Sequence, residues 1–344
     1  MLTVSIIIPV KNGAGTLPAC FAALTGLTPA PTEIIFVDNA STDDTSRLLT
    51  EFQRNCRTAT IRVLHQPRPG AAAARNAGIR TATGDLIAFT DADCAPHSDW
   101  LLHLTDPFAD TEVGAVAGSI TGTFNRSLYE LFSSLYTLQS PRDSHVHRAW
   151  TPWSGGFPTA NLAVRRALLD RLQGFDENVT IYGEDYDLCA RLYQQGVSIV
   201  YQPAACVTHH HRTTLRGVLK QAFGFGRGHA YLLHRHRPDG LWLALPRRAI
   251  QWRGVPVHGW IDAASPDKKL AGLIGLGLVY RPLLWLIPMY LCWLAYESGT
   301  RARQAGAAVS AINALGLAWM LVLKAGAMTA GRWWGSLRYG AFCI

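Results

Sequence analysis

Asp91 and Asp93 stand one alanine apart in FTDADC, residues 89–94, directly after an apolar run. On a continuing strand two carboxylates so spaced share a face without converging; at a strand end that turns, they can meet on one point. Pro96 follows closely enough to serve such a turn. Converging carboxylates suit a hard divalent cation, Mg²⁺ or Mn²⁺, and those ions in turn hold phosphate oxygens. The charge this pair calls for is a metal carrying a nucleotide diphosphate. A solvated strand-end turn uses the same residues, and so short a motif does not separate the two.

Other titratable residues stand at the ends of apolar or helical stretches. Asp38 closes the apolar stretch EIIFVD, so two acidic strand ends, Asp38 and Asp91, face one crevice. As an alternative, Asp38 is an Asx-turn or helix-capping residue. Glu184 and Asp185 open the helical stretch GEDYDLCARLYQQG, where acidic residues also suit a helix N-terminus. His209, His210 and His211 follow an apolar strand; a histidine triplet alone is as often a solvated loop.

The elements that must position these residues alternate. Val4–Val10 is nearly all β-branched, the pattern of a strand buried on both faces of a parallel sheet. GTLPACFAALTGL reads as a helix, Glu33 to Val37 as a strand, and a helix capped near Ser41 or Thr42 follows. IRVLHQ, GAAAARNAGIRTATG and DLIAFTDAD continue the strand–helix–strand scheme of an open doubly wound sheet, whose ligands bind at the carboxyl ends of its strands. Further on come the strand VGAVAGSITG, a Gly-rich loop with Ser154, Gly155 and Gly156, and a strand pair in VSIVYQPAACVTHHH.

Composition bounds the setting. Of 344 residues 49% are hydrophobic and only 16% charged, and the charge deficit lies after residue 269. Leu270 to Tyr280 and Pro282 to Tyr296 are uncharged around Arg281, and Ala305 to Leu323, the better span, is uncharged before Lys324, which points to a membrane. Seven cysteines without a CxxC pair fit a reduced compartment. The formal charge of +8 is compatible with nucleic acid, but no binding module is recognisable, and the basic residues lie near the apolar C-terminal part, where anionic lipid accounts for them. GFGRG, residues 224–228, lacks the spacing and position of a dinucleotide fingerprint.

VSIIIPVKNG, IIFVDNASTDDT, ARNAGIRTATGDLIAFTDADC, SGGFPTANLAVRR, GFDE, GEDYDLCARL and HHHRTTLRGVLKQAFGFGRG occur in the order and rough spacing of the family 2 glycosyltransferases, inverting enzymes of the GT-A fold. The resemblance covers about residues 3 to 235. It implies an α/β fold with an open, mostly parallel sheet flanked by helices, followed here by an apolar helical membrane segment. It implies that Asp38 reads the nucleobase, usually uracil, that Pro9, Val10 and Asn12 lie beside base and ribose, and that Arg75 lies near the nucleotide. Asp93 is the implied direct metal ligand, Asp91 stands closer to the ribose or an ion-bound water, and His209 helps hold metal or diphosphate. Asp185, beside Glu184, is the implied general base; Asp187 should point elsewhere on its helix. Trp153, Gly155 and Gly156 resemble the acceptor-side loop.

The resulting expectation is a nucleotide-binding half at 1–115, an acceptor and catalytic half at 116–235, a basic, aromatic connection at 236–269 and a membrane-associated segment at 270–344. The partners are a nucleotide-sugar donor, a glycan or lipid-linked acceptor and the cytoplasmic membrane, with the catalytic part on the cytosolic side. Two alternatives are a non-catalytic scaffold of the same fold and a sugar-nucleotide pyrophosphorylase. The second lacks its Gly-rich, basic N-terminal loop in PVKNGAGTL. No QxxRW motif of processive synthases is present, which favours single addition.

Overall fold

The structure is a computed structural model that describes residues 2–123, 127–137, 143–152, 154–179, 182–211, 213–246, 248–255 and 257–344. Trp153, expected in the acceptor loop, lies outside the described residues.

The first half alternates as its apolar periodicity dictates: β1 (Val4–Val10), α1 (Leu17–Thr25), β2 (Glu33–Asp38), α2 (Thr45–Asn55), β3 (Thr60–His65), α3 (Ala71–Thr81) and β4 (Leu86–Phe89). Then follow β5 (Cys94–Pro96), α4 (Trp100–Thr105), β6 (Ala115–Gly122), α5 (Leu128–Tyr136), β7 (His145–His147), β8 (Leu162–Arg165), α6 (Arg166–Leu172), α7 (Glu184–Gln194) and β9 (Ile199–His209). Among the described residues these strands form one sheet in the order β3-β2-β1-β4-β8-β6-β9-β5, with β7 paired to β9. β1, β2, β3, β4, β6 and β9 run one way; β5, β7 and β8 run against them.

Helices cover both faces, and the period of two along β1 divides the core. Ile6, Ile8 and Val10 pack with Leu17, Leu49 and Trp100 on one side. Ile7 packs with Ala74, Ile79, Phe89 and Leu188 on the other. The small residues of α3 follow from its closeness to the sheet: a Cβ at Gly78 would stand 2.5 Å from Ile7 Cγ2. Asn161 knits the second half, donating to Ser119 O and Ala205 O while accepting from Trp100 Nε1 at 2.8 Å.

Three expectations are corrected. Helix α2 starts at Thr45 rather than at Ser41 or Thr42, because Ser41 and Thr42 bond instead to Asp38 and Asn12. VSIVYQPAACVTHHH contains one strand, not a pair. β9 runs past Pro203 with a register jump from Gly118↔Gln202 to Ser119↔Cys206, and Ser119 Oγ donates to the bulged Pro203 carbonyl. The apolar stretch expected from Ala305 becomes helical only at Ala311 and continues beyond Lys324 to Tyr339.

The C-terminal part comprises α8 (Leu215–His236), β10 (Leu241–Leu245), β11 (Arg248–Trp252), β12 (Gly259–Asp262), α9 (Pro266–Val279), α10 (Leu286–Gln304), α11 (Ala311–Tyr339) and β13 (Phe342–Cys343). The stretch 236–269 thus holds three strands, which form with β13 a small sheet ordered β11-β10-β12-β13. α8 and α11 lie against each other through small residues. A Cβ at Gly226 would meet Met328 O at 2.0 Å, one at Gly331 would meet Phe223 O at 2.1 Å, and one at Gly335 would meet Ala230 Cβ at 2.6 Å. Within GFGRG, Gly226 serves this helix packing, since only a missing side chain lets two backbones approach so closely, while Gly224 and Gly228 make room for Tyr182 in the loop before α7.

Candidate active site

Asp38 ends β2 in register with Val10, the last residue of β1, so the β1 loop and the carboxylate share one sheet edge. Its carboxylate accepts from Ser41 N at 3.0 Å and from Ser46 Oγ. Burial works to raise its pKa, but these hydrogen bonds outweigh burial and hold the carboxyl below its ordinary range. Asn12, at a left-handed φ of 52°, accepts from Thr42 N at 2.8 Å and locks the β1 loop to the β2 loop.

Asp91 and Asp93 lie in the turn between β4 and β5, where Cys94 N donates to Asp91 O at 3.0 Å. The two carboxylates take different partners. Asp91 accepts 2.9 Å from Arg75 Nη2, whereas Asp93 Oδ1 stands 3.5 Å from His209 Nε2 at the end of β9. Pairing of β5 with β9 sets this second approach: Cys94 is in register with His209, and His210 N donates to Asp93 O at 2.8 Å. His211 lies beyond the strand end, yet its ring stacks on that of His209 at 4.7 Å.

Asp93, Cys94 and His209 bring a carboxylate oxygen, a thiol sulfur and a ring nitrogen within 4.8 Å of one another. His209 Nδ1 is buried without a hydrogen-bond partner. The orphaned Nδ1 belongs to the ring whose Nε2 faces Asp93, and an imidazole with a carboxylate suits a divalent cation, whereas burial pushes the Cys94 thiol well up and makes it a poor ligand for a hard ion. The thiol had no place in the sequence reading; its signal was only that Cys94 adjoins the second aspartate.

Arg75 is 4% exposed, and its Nη1 donates to Glu184 Oε1 at 2.9 Å while Nη2 holds Asp91. One guanidinium therefore joins the turn between β4 and β5 to the first turn of α7. The neighbouring Asn76 clamps GFDE, accepting from Phe175 N at 2.8 Å and donating to Glu177 Oε1 at 3.0 Å. The two polar residues of ARNAG thus tie α3 to two segments 99 to 109 positions further along the chain without touching each other's partners.

Asp185 follows Glu184 at the start of α7, after Gly183 at φ 117°, a left-handed angle that suits glycine. It lines a cavity of about 470 Å³ together with Gly155, Gly156, Tyr182, His229 and Lys324. Burial, and then the adjacent Glu184 charge, push its pKa up to about 7 despite the opposing pull of Arg75. Gly155 has φ 93°, and a Cβ there would stand 2.3 Å from Ala149 O, so the loop wall requires glycine. Asp187 points elsewhere on the helix, away from the cavity that Asp185 lines. It is buried, held by Arg191 at 2.8 Å, Arg235 at 2.8 Å and His236 at 3.0 Å, and fastens α7 to the end of α8.

Sequence reasoning also missed His229 and Lys324. The signal for Lys324 was visible, because it is the lone charge between Arg303 and Arg332.

Comparison with known proteins agrees with this geometry. The sequence model for Glycosyl transferase family 2 matches residues 5–173. The pre-mycofactocin glycosyltransferase of Mycobacterium tuberculosis is 34% identical over 249 residues, covering 69% of this chain and 48% of that protein. The chain thus spans about half the length of that relative. Glycosyltransferase AglE of Haloferax volcanii is 28% identical over 232 residues, covering 65% of this chain and 72% of AglE. Among solved structures, the mannosyltransferase PcManGT of Pyrobaculum calidifontis aligns with TM-score 0.56 at 20% identity, covering 97% of this chain and 87% of that one. The chain belongs to the family 2 glycosyltransferases, and its fold is of the GT-A type.

Proposed function

We propose that this family 2 glycosyltransferase moves a sugar from a nucleoside-diphosphate donor, UDP-linked, to a hydroxyl of a lipid-linked or membrane-adjacent acceptor, with inversion at the anomeric carbon. The observation that carries the reading is the Arg75 bridge. It sets the metal-type turn of Asp91 and Asp93 beside Glu184, whose neighbour Asp185 faces a cavity of about 470 Å³. The solved PcManGT complex contains GDP-Man and Mn²⁺, which supports a nucleotide sugar and a divalent ion.

In this reading Asp38, held ionised by Ser41 and Ser46, accepts the uracil N3–H, and the β1 loop from Pro9 to Asn12 flanks the base and ribose. Asp93 and His209 would hold the divalent ion, which supplies positive charge beside the departing diphosphate. Asp185 takes the proton of the acceptor hydroxyl as that oxygen bonds to the anomeric carbon. The bond from this carbon to the diphosphate oxygen breaks, and the nucleoside diphosphate leaves with the electron pair. A base titrating near neutrality suits this task, being deprotonated yet still basic at working pH. Gly155 and Gly156 let backbone approach the acceptor.

Ala311–Tyr339 is long and apolar enough to cross a membrane. α9, α10 and the turn between them expose Leu278, Val279, Trp285, Met289 and Tyr296. We assign these surfaces to the cytoplasmic membrane, with the site on the cytosolic side; the free thiols suit that compartment. The test is hydrolysis of a panel of nucleotide sugars by the purified chain in detergent with Mn²⁺, Mg²⁺ or EDTA. Metal-dependent release of nucleoside diphosphate from one donor supports the reading; turnover of no donor, with no metal-dependent nucleotide binding, overturns it.

A further inference from the structure

Lys324 lies within an apolar helix, and its ammonium is turned inward. It is the only Asp, Glu, Lys or Arg in α11 before Arg332, and a charge so placed in an apolar helix is expensive unless it has a use. Its Nζ donates to Tyr136 O and, at 3.2 Å, to Thr137 Oγ1, both at the end of α5, and stands 5.8 Å from the Phe132 ring centroid. These contacts orient the ammonium but bring it no anion: among the described residues no carboxylate lies within ion-pair distance of it. Among those lining the Asp185 cavity it is the only lysine or arginine.

The cavity also holds a neutral donor. His229 lines this cavity and an adjoining one of about 240 Å³. Its Nδ1 accepts from the Arg332 guanidinium at 3.4 Å, so the ring's proton sits on Nε2. Burial, and then Arg332, hold the ring neutral by pushing its pKa down to about 3. Arg332 is itself spent on Asp262 at 2.9 Å, which leaves Lys324 as the cationic group for whatever enters. The remaining wall includes Phe225, Leu232 and Met328.

We propose that Lys324 is the anion-binding residue of the acceptor cavity, so that the acceptor carries a phosphate-type anion in addition to the hydroxyl that Asp185 deprotonates. The inference rests on the glycosyltransferase reading. The anion can belong to a lipid or to a soluble phosphorylated glycan, and both present the same oxygens to the ammonium.

The experiment titrates the full chain in digitonin with dodecyl phosphate, dodecanol and inorganic phosphate, read by tryptophan fluorescence. UDP binding with Mn²⁺ is measured in parallel on every variant. Wild type should prefer dodecyl phosphate to dodecanol by about 10-fold or more, the scale of one charge-assisted hydrogen bond. Lys324→Gln should lose that preference, and Lys324→Arg should keep it. Competition by inorganic phosphate would assign the anion to a soluble acceptor; binding of dodecyl phosphate alone would assign it to a membrane lipid. Equal affinity of wild type for dodecanol and dodecyl phosphate overturns the inference even if Lys324→Gln fails to fold, as does undiminished dodecyl phosphate binding by folded Lys324→Gln. Intact UDP binding beside either result leaves the glycosyltransferase reading standing, whereas its loss in wild type sinks that reading instead.

Discussion

Arg75 and Glu184, 109 positions apart in sequence, are joined by a 2.9 Å hydrogen bond, and the same guanidinium holds Asp91. Removing a buried cation leaves two carboxylates facing each other in low dielectric, at a cost of about 3 kcal/mol. Arg75→Ala should lower unfolding stability by about that amount and abolish detectable transfer. Arg75→Lys keeps the charge but not the fork, so it should recover part of the stability while kcat stays well below wild type. Denaturant unfolding with initial rates on both variants checks this.

If Asp185 is the base, it should give the rate an acidic limb. The carboxyl must be ionised to accept a proton, so kcat/KM should rise with pH and level off above about 7, the value to which burial and Glu184 push the group. The stability linkage has the opposite sign. A carboxyl whose folded pKa lies above its unfolded one stabilises the fold fully below the unfolded value, and that contribution is lost as pH rises towards the folded value. Asp185→Asn should therefore be inactive but melt above wild type at pH 8, with the gap narrowing by pH 4. Thermal melts at both pH values decide it.

Asp187 is a structural anion. With its carboxylate buried against Arg191, Asp187→Ala leaves that largely buried guanidinium without its anion and should cost about 3 kcal/mol. Since Asp187 ties α7 to α8, the same variant should reduce kcat more than it changes UDP affinity. Equilibrium unfolding and a KM-against-kcat split test the two halves separately.

Much of the fold was legible because short, near-continuous apolar runs alternating with helical stretches leave few alternatives to a doubly wound sheet. Asp38, Asp91 and Asp93 were visible from their place at strand ends. What escaped is what depends on chain crossings. The Arg75 bridge joins segments that pattern does not relate, and the Asp187 latch needs Arg235 and His236 from a helix whose docking is set by glycines. The cap at Ser41 failed because those hydroxyls and amides are drawn to Asn12 and Asp38, partners that local propensity does not contain.

The exposed apolar rim of α9 and α10 predicts how the chain partitions. Wild type should stay with membranes through a high-salt wash and leave only in detergent, because the contact is apolar rather than ionic. Leu278→Asp combined with Val279→Asp should raise the salt-extractable fraction several-fold without altering UDP affinity. Fractionation followed by nucleotide titration measures both.

The most direct measurement compares Asp93→Ala with Asp185→Asn for Mn²⁺-dependent nucleotide affinity and for single-turnover release of nucleoside diphosphate. If Asp93 belongs to the metal site and Asp185 is the base, Asp93→Ala loses both, with affinity falling by about 10-fold or more. Asp185→Asn then keeps wild-type affinity and loses turnover. Asp185→Asn turning over at the wild-type rate, or Asp93→Ala binding nucleotide with undiminished metal dependence, would contradict this division of the site.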